Sequence, residues 1–281
     1  MIKFGPSGNS AAFYDEGHKH TYEAMEWVHN MGLNAYEYSF GRGVRIKKDS
    51  ANKIAAEAEK FGIALSVHAP YYINLASDDE EKFQKNISYF ADASEAACWL
   101  NADRVVFHPG SRAKLERSTA FSYAKANLKR MLAVMDEMSY KNLTYCPETM
   151  GKINQIGDLD EIIELCKTDE RLLPTIDFGH LHTRGRGAIN TAEDFEAILK
   201  ALISGLGQER IKHFHVHFSK IAYTDMGEKM HMTFDDEGYG PDFALLAPLL
   251  KKHDLEPVII CESNGTMAKD AKTMLEVYTN A

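Results

Sequence analysis

Six side chains of types that commonly bind metal ions recur along this chain at intervals of 29 to 45 residues. They are His68, His108, Glu148, Asp177, His217 and Glu262. Imidazole nitrogens combined with carboxylate oxygens suit Zn²⁺, and they also suit Mn²⁺ or Fe²⁺. Because a tetrahedral ion takes only four ligands, this set predicts more than one ion. Two neighbouring ions can assist the hydrolysis of a phosphodiester, so we expect Lewis-acid hydrolysis rather than redox chemistry.

Each of these residues stands at the end of a short run typical of a β-strand. Eight such runs occur, at 2–5, 35–39, 64–68, 104–108, 143–148, 173–177, 211–218 and 257–262. Stretches with the apolar spacing of amphipathic helices lie between them, at 49–61, 80–100, 115–138, 158–167, 192–202 and 241–253. This alternation, at about 35 residues per unit, predicts an α/β fold: a single-domain (β/α)₈ TIM barrel over residues 1–281.

The barrel prediction has consequences for where the chemistry lies. An open doubly wound sheet is the alternative, but the chain has neither of the glycine-rich nucleotide-binding motifs expected there. In a TIM barrel, functional residues come from the C-terminal ends of the strands. The six metal-binding side chains would therefore meet at one rim.

The seventh run contains three histidines at alternating positions. His213, His215 and His217 share one face, and Phe214 and Val216 share the other. The apolar face must meet the helices, so the histidines point into the barrel. We expect His213 and His215 to be buried, hydrogen-bonded core residues and only His217 to reach the rim.

Composition and charge narrow the class of protein. The chain has 281 residues, 44% of them hydrophobic, and no apolar run near the roughly 20 residues that span a bilayer. Four cysteines without a C-x-x-C pair and a start unlike a signal peptide predict a cytoplasmic protein with no membrane partner. The net charge of −9 argues against nucleic-acid binding unless bound cations invert the charge near the carboxylates.

The strand-end segments resemble those of the endonuclease IV family, metal-dependent apurinic/apyrimidinic endonucleases with a xylose-isomerase-like barrel. The segments that carry the resemblance occur in the family's order: 68–75 (HAPYYINL), 107–111 (FHPGS), 148–149 (ET), 177–180 (DFGH), 216–220 (VHFSK), 236–238 (DEG) and 261–263 (CES). The resemblance implies incision of damaged double-stranded DNA on the 5′ side of abasic sites, by a monomer with two or three Zn²⁺ ions.

The resemblance also implies three groups of metal ligands. The first is His68, His108 and Glu148, and the second is Glu148, Asp177, His217 and Glu262. Glu148 would bridge the first two ions, and Glu262 would also orient the attacking water, which makes these two the expected catalytic residues. His180 and His231 would hold a third ion. The family has an aspartate two residues before this last histidine, whereas this chain has Lys229, so Glu228, Asp235 or Asp236 would have to substitute or the site would be weak.

Contacts with DNA are also implied by the resemblance. Tyr71 matches the family's inserted tyrosine, and Arg42 is the candidate for its arginine. Basic residues near the strand-end loops are the candidates for phosphate contacts: Arg42, Lys47, Lys48, Arg112, Lys114, Arg184 and Arg186.

Two other functions fit part of this pattern. Single-metal sugar isomerases and epimerases of the same barrel use a Glu–Asp–His–Glu set, which Glu148, Asp177, His217 and Glu262 would satisfy. A barrel that binds damaged DNA without turnover is the third possibility. The additional histidines at 68, 108, 180 and 231 favour the nuclease, whereas Lys229 and the acidic net charge favour the isomerase or epimerase. Only the loss of several ligands would support the barrel without turnover, and one altered position does not.

Overall fold

A computed structural model describes residues 1–281 of the chain. Its strands are β1 (Lys3–Pro6), β2 (Ala35–Ser39), β3 (Ala64–His68), β4 (Arg104–Phe107), β5 (Thr144–Pro147), β6 (Thr175–Asp177), β7 (His215–Phe218), β8 (Lys220–Thr224), β9 (Gly227–Met232) and β10 (Val258–Cys261). Its helices are α1 (Ala11–Asp15), α2 (Ala24–Asn30), α3 (Lys48–Phe61), α4 (Glu80–Leu100), α5 (Arg117–Glu137), α6 (Leu159–Cys166), α7 (Phe178–Arg184), α8 (Ala192–Leu206), α9 (Gln208–Ile211), α10 (Phe243–Lys252) and α11 (Met267–Asn280), with a 3₁₀ turn at Thr21–Glu23.

Eight parallel strands form the barrel in two arcs of four. One arc has the order β1-β10-β7-β6 and the other has the order β2-β3-β4-β5. Single bridges between Ser7 and Glu37 and between Glu148 and Thr175 join the arcs and close the barrel. The eight-stranded α/β barrel that the sequence predicts is therefore confirmed.

Apolar packing lies mainly outside the strands. A continuous cluster of 61 buried residues fills the space between the strands and the helices. A separate, small apolar cluster of Ala35, Val258 and Ile260 comes from β2 and β10, the strands on either side of β1, inside the barrel. The rest of the interior is polar, and it includes the fully buried Glu37 and His215. Buried polar side chains therefore lie inside the barrel, directly below the strand ends.

Two of the helices begin with side-chain caps. The side chain of Asp158 accepts a hydrogen bond from the Glu161 amide, and Thr191 caps the Asp194 amide at the start of α8. In both cases the third residue of the helix returns a carboxylate to the cap. None of the helices is long and apolar enough to cross a membrane.

The strand in the seventh predicted run, β7, is shorter than the sequence predicts. One prediction about its histidines is therefore wrong. The strand starts at His215, because residues 208–213 form the helix α9 and a turn. His213 therefore lies outside the barrel with its side chain 54% exposed, and the prediction that it is a buried core residue is wrong. His215 and His217 are fully buried, as the alternation predicts, but neither ring nitrogen of His215 has a hydrogen-bond partner, so the prediction that it is hydrogen-bonded is wrong.

Gly5 lies where β1 and β2 approach each other closely, and this contact predicts the effect of adding a side chain there. A Cβ atom on Gly5 would lie 1.8 Å from the carbonyl oxygen of Ala35, and this contact between two strand backbones cannot relax. We expect Gly5→Ala to lower the free energy of unfolding by about 3 kcal/mol, measured by urea denaturation. Gly8→Ala is the control: it forces alanine to a φ of +81° but meets no atom within 4 Å. It should cost only about 1 kcal/mol, and equal losses in the two variants would contradict the prediction.

Candidate metal centre

Glu148 lies at the centre of the rim, where side chains from three other strand ends and from helix α7 converge. Its Oε2 lies 3.1 Å from Nε2 of both His68 and His108. Its Oε1 lies 3.1 Å from Nδ1 of His217 and 3.3 Å from Nδ1 of His180. The carboxylate is 1% exposed, so both oxygens are available only to this cluster. This arrangement is that of a carboxylate able to bridge two ions.

A second group of potential ligands shares Glu148. Its ligand atoms come from Glu148, Asp177, His217 and Glu262 and lie within 4.8 Å of one another. Asp177 ends β6 and also caps α7, since its Oδ1 accepts a hydrogen bond from the His180 amide at 2.7 Å. The cap fixes the direction of α7, which brings the His180 side chain back to the cluster.

A third group consists of His180, Glu228 and His231. The Nε2 of His180 lies 3.5 Å from Oε2 of Glu228. Lys229 is exposed and makes no part of this group. Of the three acidic residues that the sequence left open as substitutes, the structure brings Glu228 to the two histidines; Asp235 instead pairs with Lys269, and Asp236 accepts hydrogen bonds from Thr233.

A bulge in the β8–β9 hairpin explains why Glu228 reaches this position. Ala222 pairs with Met230 and Tyr223 pairs with Glu228, so Lys229 is an extra residue in β9. In a regular strand, residues two apart share a face, but one inserted residue shifts this spacing to three. Glu228 and His231 therefore point to the same side. The sequence could not show the bulge, because it depends on the pairing of β9 with β8.

Three of the histidines are oriented by neutral partners. The Nδ1 of His68 lies 2.9 Å from the Ala69 carbonyl oxygen, and that of His180 lies 2.8 Å from the Thr149 carbonyl oxygen. The Nδ1 of His231 lies 2.8 Å from the Ser219 hydroxyl. In His68 and His231 these contacts occupy Nδ1 and leave Nε2 directed at the cluster, which is the usual arrangement around ligating histidines. In His180, Nδ1 also faces Glu148 at 3.3 Å, and Nε2 faces Glu228.

Glu37 is a buried residue that the sequence analysis did not single out. It lies on β2 below the cluster, where its Oε1 is 2.9 Å from Nε2 of His217. A signal was present, since a glutamate occupies an inward-facing position in the strand sequence AYEYS. The alternation of the strand predicts its burial but not the histidines that it meets.

The charges in the cluster depend on one another. Burial disfavours the charged form of His68, but Glu148 outweighs this effect and raises the pKa of His68 to about 9. Burial also opposes ionisation of Glu148, yet the surrounding histidines hold its pKa well below the usual range. Burial raises the pKa of Asp177 to about 6, and the neighbouring carboxylates add to this shift. The carboxylates thus draw positive charge to the cluster, in the form of protons or cations.

The donor set fits divalent cations. Neighbouring nitrogen and oxygen atoms of the cluster lie 3.1 Å apart between His68 and Glu148 and 3.5 Å apart between His180 and Glu228. Two ligands of a tetrahedral ion with bonds of roughly 2.1 Å are about 3.4 Å apart, so an ion can sit between them without large rearrangement. Imidazole and carboxylate without thiolate suit Zn²⁺, Mn²⁺ and Fe²⁺.

A cavity of about 340 Å³ opens above the ligands. Tyr71 stands at its mouth, 48% exposed, and its amide donates a hydrogen bond to the Gly41 carbonyl oxygen. The Tyr72 hydroxyl, and after it Arg42, lowers the pKa of Tyr71, which places the Arg42 guanidinium beside this phenol. Lys152 also lines the cavity. The mouth therefore combines exposed aromatic rings with positive charge.

One of the basic candidates has a structural role in the loop after β5. The Arg184 guanidinium donates hydrogen bonds to the carbonyl oxygens of Met150, Lys152 and Gln155. Its donors hold the loop after β5 in place, and a contact of Arg184 with phosphate stays a prediction. Arg42, Lys47, Lys48 and Arg186 remain exposed.

The family model for the xylose isomerase-like TIM barrel matches residues 25–280. The chain belongs to this family. It is similar to the uncharacterized protein MJ0133 of Methanocaldococcus jannaschii, with 34% identity over 99% of this chain and 97% of that protein.

Other relatives are named as nucleases. A probable endonuclease 4 of Mycoplasma pneumoniae is 30% identical over 63% of this chain and 60% of its own length. A probable endonuclease 4 of Staphylococcus aureus is 30% identical over 58% of this chain and 54% of its own length. The chain thus spans somewhat more than half the length of these two proteins.

Solved structures of two activities share the fold. A D-tagatose 3-epimerase-like protein superposes with a TM-score of 0.73 at 20% identity, over 99% of this chain and 97% of that one. Endonuclease IV from Thermus thermophilus superposes with a TM-score of 0.68 at 20% identity, over 99% of this chain and 98% of that one. At this identity the likeness establishes the barrel and leaves the reaction open.

The raised pKa of His68 predicts that cations displace protons when they bind. At pH 7 this histidine carries a proton in the cation-free protein, because its pKa is about 9. A cation at Nε2 must release that proton, so apparent affinity should fall as the pH drops below about 9 and level off above it. Calorimetric titration with Zn²⁺ in two buffers of different ionisation enthalpy counts the released protons. At least one is expected per protein at pH 7, fewer in His68→Gln, and an affinity independent of pH would contradict the prediction.

Proposed function

We propose that this protein is a metal-dependent phosphodiester hydrolase that incises double-stranded DNA on the 5′ side of abasic sites. The observation that carries the proposal is the convergence of three ligand groups that share or adjoin Glu148. His68 and His108 lie against one side of this carboxylate, and His180 lies against the other with Glu228 and His231 beyond it. Similarity to proteins named probable endonuclease 4 supports the same function.

A sugar epimerase is the second candidate, and it also has an observation in its favour. Glu148, Asp177, His217 and Glu262 form a complete single-ion set, and an epimerase-like protein shares the fold. A single-ion reaction, however, leaves His108 and the group of His180, Glu228 and His231 without a role. Burying additional ionisable groups is unfavourable unless they are paired or bind ions. The nuclease accounts for all of them.

In the proposed reaction His68, His108 and Glu148 hold one cation, and Glu148, Asp177, His217 and Glu262 hold a second. His180, Glu228 and His231 hold a third. These ions, which we expect to be Zn²⁺ with Mn²⁺ or Fe²⁺ as substitutes, supply Lewis-acid activation of water and stabilisation of negative charge on the phosphate.

The chain's own residues bind and orient the reactants. Glu262 has a side chain 18% exposed at the floor of the cavity, where its carboxylate can accept a hydrogen bond from the attacking water. Lys152 and Arg42 place positive charge at the mouth, where they would bind the DNA backbone. Tyr71 would stack in the space that a flipped-out abasic nucleotide leaves in the duplex. Together with the bound cations, these groups reverse the effect of the −9 net charge near the site.

The decisive experiment is a denaturing-gel assay on a labelled duplex that carries one abasic site. Purified protein is tested with Zn²⁺, with Mn²⁺ and with a chelator. Metal-dependent incision 5′ of the lesion is expected, and an undamaged duplex of the same sequence serves as the control substrate. Absence of incision by protein shown to bind metal would exclude the nuclease and favour epimerisation of a ketose, which the same preparation can be tested for directly.

Replacing Glu262 tests the water-orienting role. Glu262→Gln keeps the size of the side chain but removes its charge, so kcat for incision should fall by about 10²-fold or more. The unfolding midpoint should change little, because the residue lies at the open end of the barrel. Glu164→Gln, on the outer face of α6, is the matched control and should retain full activity. Incision by Glu262→Gln at the rate of the unmodified protein would refute the assignment.

Replacing Glu228 tests the third ligand group. We expect Glu228→Gln to lose one bound ion per protein while retaining the other two, as measured by elemental analysis after dialysis. The neighbouring Lys229→Ala is the matched control, since that side chain is exposed and points away from the histidines. An unchanged metal content in Glu228→Gln, or an equal loss in Lys229→Ala, would show that the bulge does not place a ligand.

A further inference from the structure

Three polar side chains meet inside the barrel, below the ligands of the rim. Glu37 comes from β2, and His215 and His217 come from alternate positions of β7. All three side chains are fully buried, and one ligand atom from each lies within 4.8 Å of the other two. We call these three residues the interior group. Glu37 and His215 have no role in the reaction proposed above.

Most polar atoms of the interior group have no hydrogen bond. Seven buried side-chain atoms of the chain lack a hydrogen-bond partner, and four of them belong to this group: Oε1 of Glu37, both ring nitrogens of His215 and Nε2 of His217. A fifth, Oδ2 of Asp177, belongs to a ligand group of the rim. Because buried polar atoms are almost always satisfied in folded proteins, this concentration at one place requires a physical cause, and ion binding is one.

The unsatisfied atoms lie against one another. Nε2 of His217 is 2.9 Å from Oε1 of Glu37, and Nε2 of His215 is 3.0 Å from Oε2 of the same carboxylate. These contacts do not have the direction of hydrogen bonds, so the Ser66 hydroxyl, 2.8 Å from Oε2, is the only donor to the carboxylate. An enclosed carboxylate with so little compensation is strongly unfavourable. A cation bound by the oxygens and the two ring nitrogens would supply the missing positive charge.

The spacing of the ligand atoms indicates the kind of ion. Atoms 2.9 or 3.0 Å apart subtend an angle of about 90° at an ion with bonds of roughly 2.1 Å, whereas a tetrahedral ion would separate them by about 3.4 Å. Two imidazoles and one carboxylate at such angles are typical of Fe²⁺ sites, and Mn²⁺ also accepts six-coordinate geometry. Fe²⁺ and Mn²⁺ therefore fit the interior group better than Zn²⁺ does.

We propose that Glu37, His215 and His217 bind a six-coordinate divalent ion, Fe²⁺ or Mn²⁺, inside the barrel and in addition to the ions of the rim. Nδ1 of His217 faces Glu148 at 3.1 Å, so this one ring connects the interior ion to the rim. A cation at each nitrogen leaves the ring without a proton, and the proton that it loses passes to solvent. The inference depends on the interior group alone and does not require incision of DNA.

Burial distinguishes the interior site from those at the rim. The ligands of the rim line an open cavity, whereas the side chains of the interior group have no exposed surface. An ion at the rim can therefore pass to a chelator in solution, but an ion in the interior has no open path. We expect dialysis of the folded protein against EDTA to remove the rim ions and to leave the interior ion.

The test measures metal content by elemental analysis. Unmodified protein is purified from cells grown with added Mn²⁺ and Fe²⁺ and is then dialysed against EDTA without unfolding. One Mn²⁺ or Fe²⁺ ion per protein should remain, and unfolding in urea with EDTA should release it, because the site exists only in the folded chain. A folded protein that retains no ion after dialysis would overturn the proposal.

His215→Gln tests the site directly, because it removes a ligand of the interior group and none of the rim. The variant should retain no ion after dialysis, and its unfolding midpoint should fall to that of protein from which the ion has been removed. His213→Gln makes the same change in a histidine that lies outside the barrel with its side chain 54% exposed, so it is the matched control and should retain the ion. Equal retention in both variants would overturn the proposal.

A measurement on the unmodified protein keeps the proposal testable if His215→Gln fails to fold. In crystals, anomalous diffraction at the Mn and Fe absorption edges should show a peak between Glu37 and the ring of His215. Ions at the rim alone would overturn this inference and leave the proposed function intact. An interior ion in crystals soaked in Zn²⁺ that show no ion at the rim would support this inference and overturn the proposed function.

Discussion

The candidate site depends on the burial of negative charge at one end of the barrel. Glu148 and Asp177 are almost fully enclosed, and Glu37 lies below them without solvent contact. Carboxylates in such surroundings must be neutralised, and the histidines at the strand ends are the partners that the barrel supplies. The short distances around Glu148 and the raised pKa of His68 both result from this requirement. Cations satisfy the same requirement better than protons do, because one divalent ion can bind several ligands at once.

The sequence predicts the barrel well because its signals are local. Alternation of strands and helices, together with a ligand at the end of each of six strands, is visible without knowledge of the packing. The parallel order of the sheet then brings ligands from distant positions to one rim. Asp177 and His180 were also predictable, since a helix that begins directly after a strand turns its third residue back to the strand end.

The remaining features depend on long-range contacts. The bulge arises from the pairing of β8 with β9, and no residue type in β9 indicates it in the sequence. Glu37 and His217 lie far apart in the sequence, and their side chains come into contact only because the sheet closes into a barrel. His213 failed as a core residue because the preceding helix α9 continues to Ile211 and delays the start of the strand. The hydrogen bonds of Arg184 to carbonyl oxygens of the loop after β5 were likewise not visible in the sequence.

The bulge at Lys229 also bears on how such sites are recognised in other chains. A motif written with fixed spacing would score this chain as lacking one candidate ligand, although the structure brings Glu228 together with the two histidines. One added residue in the strand changes the spacing in the sequence while a carboxylate still lies beside the histidines. Ligand positions in hairpins should therefore be compared through strand pairing, and a lysine at a ligand position is not by itself a sign of lost function.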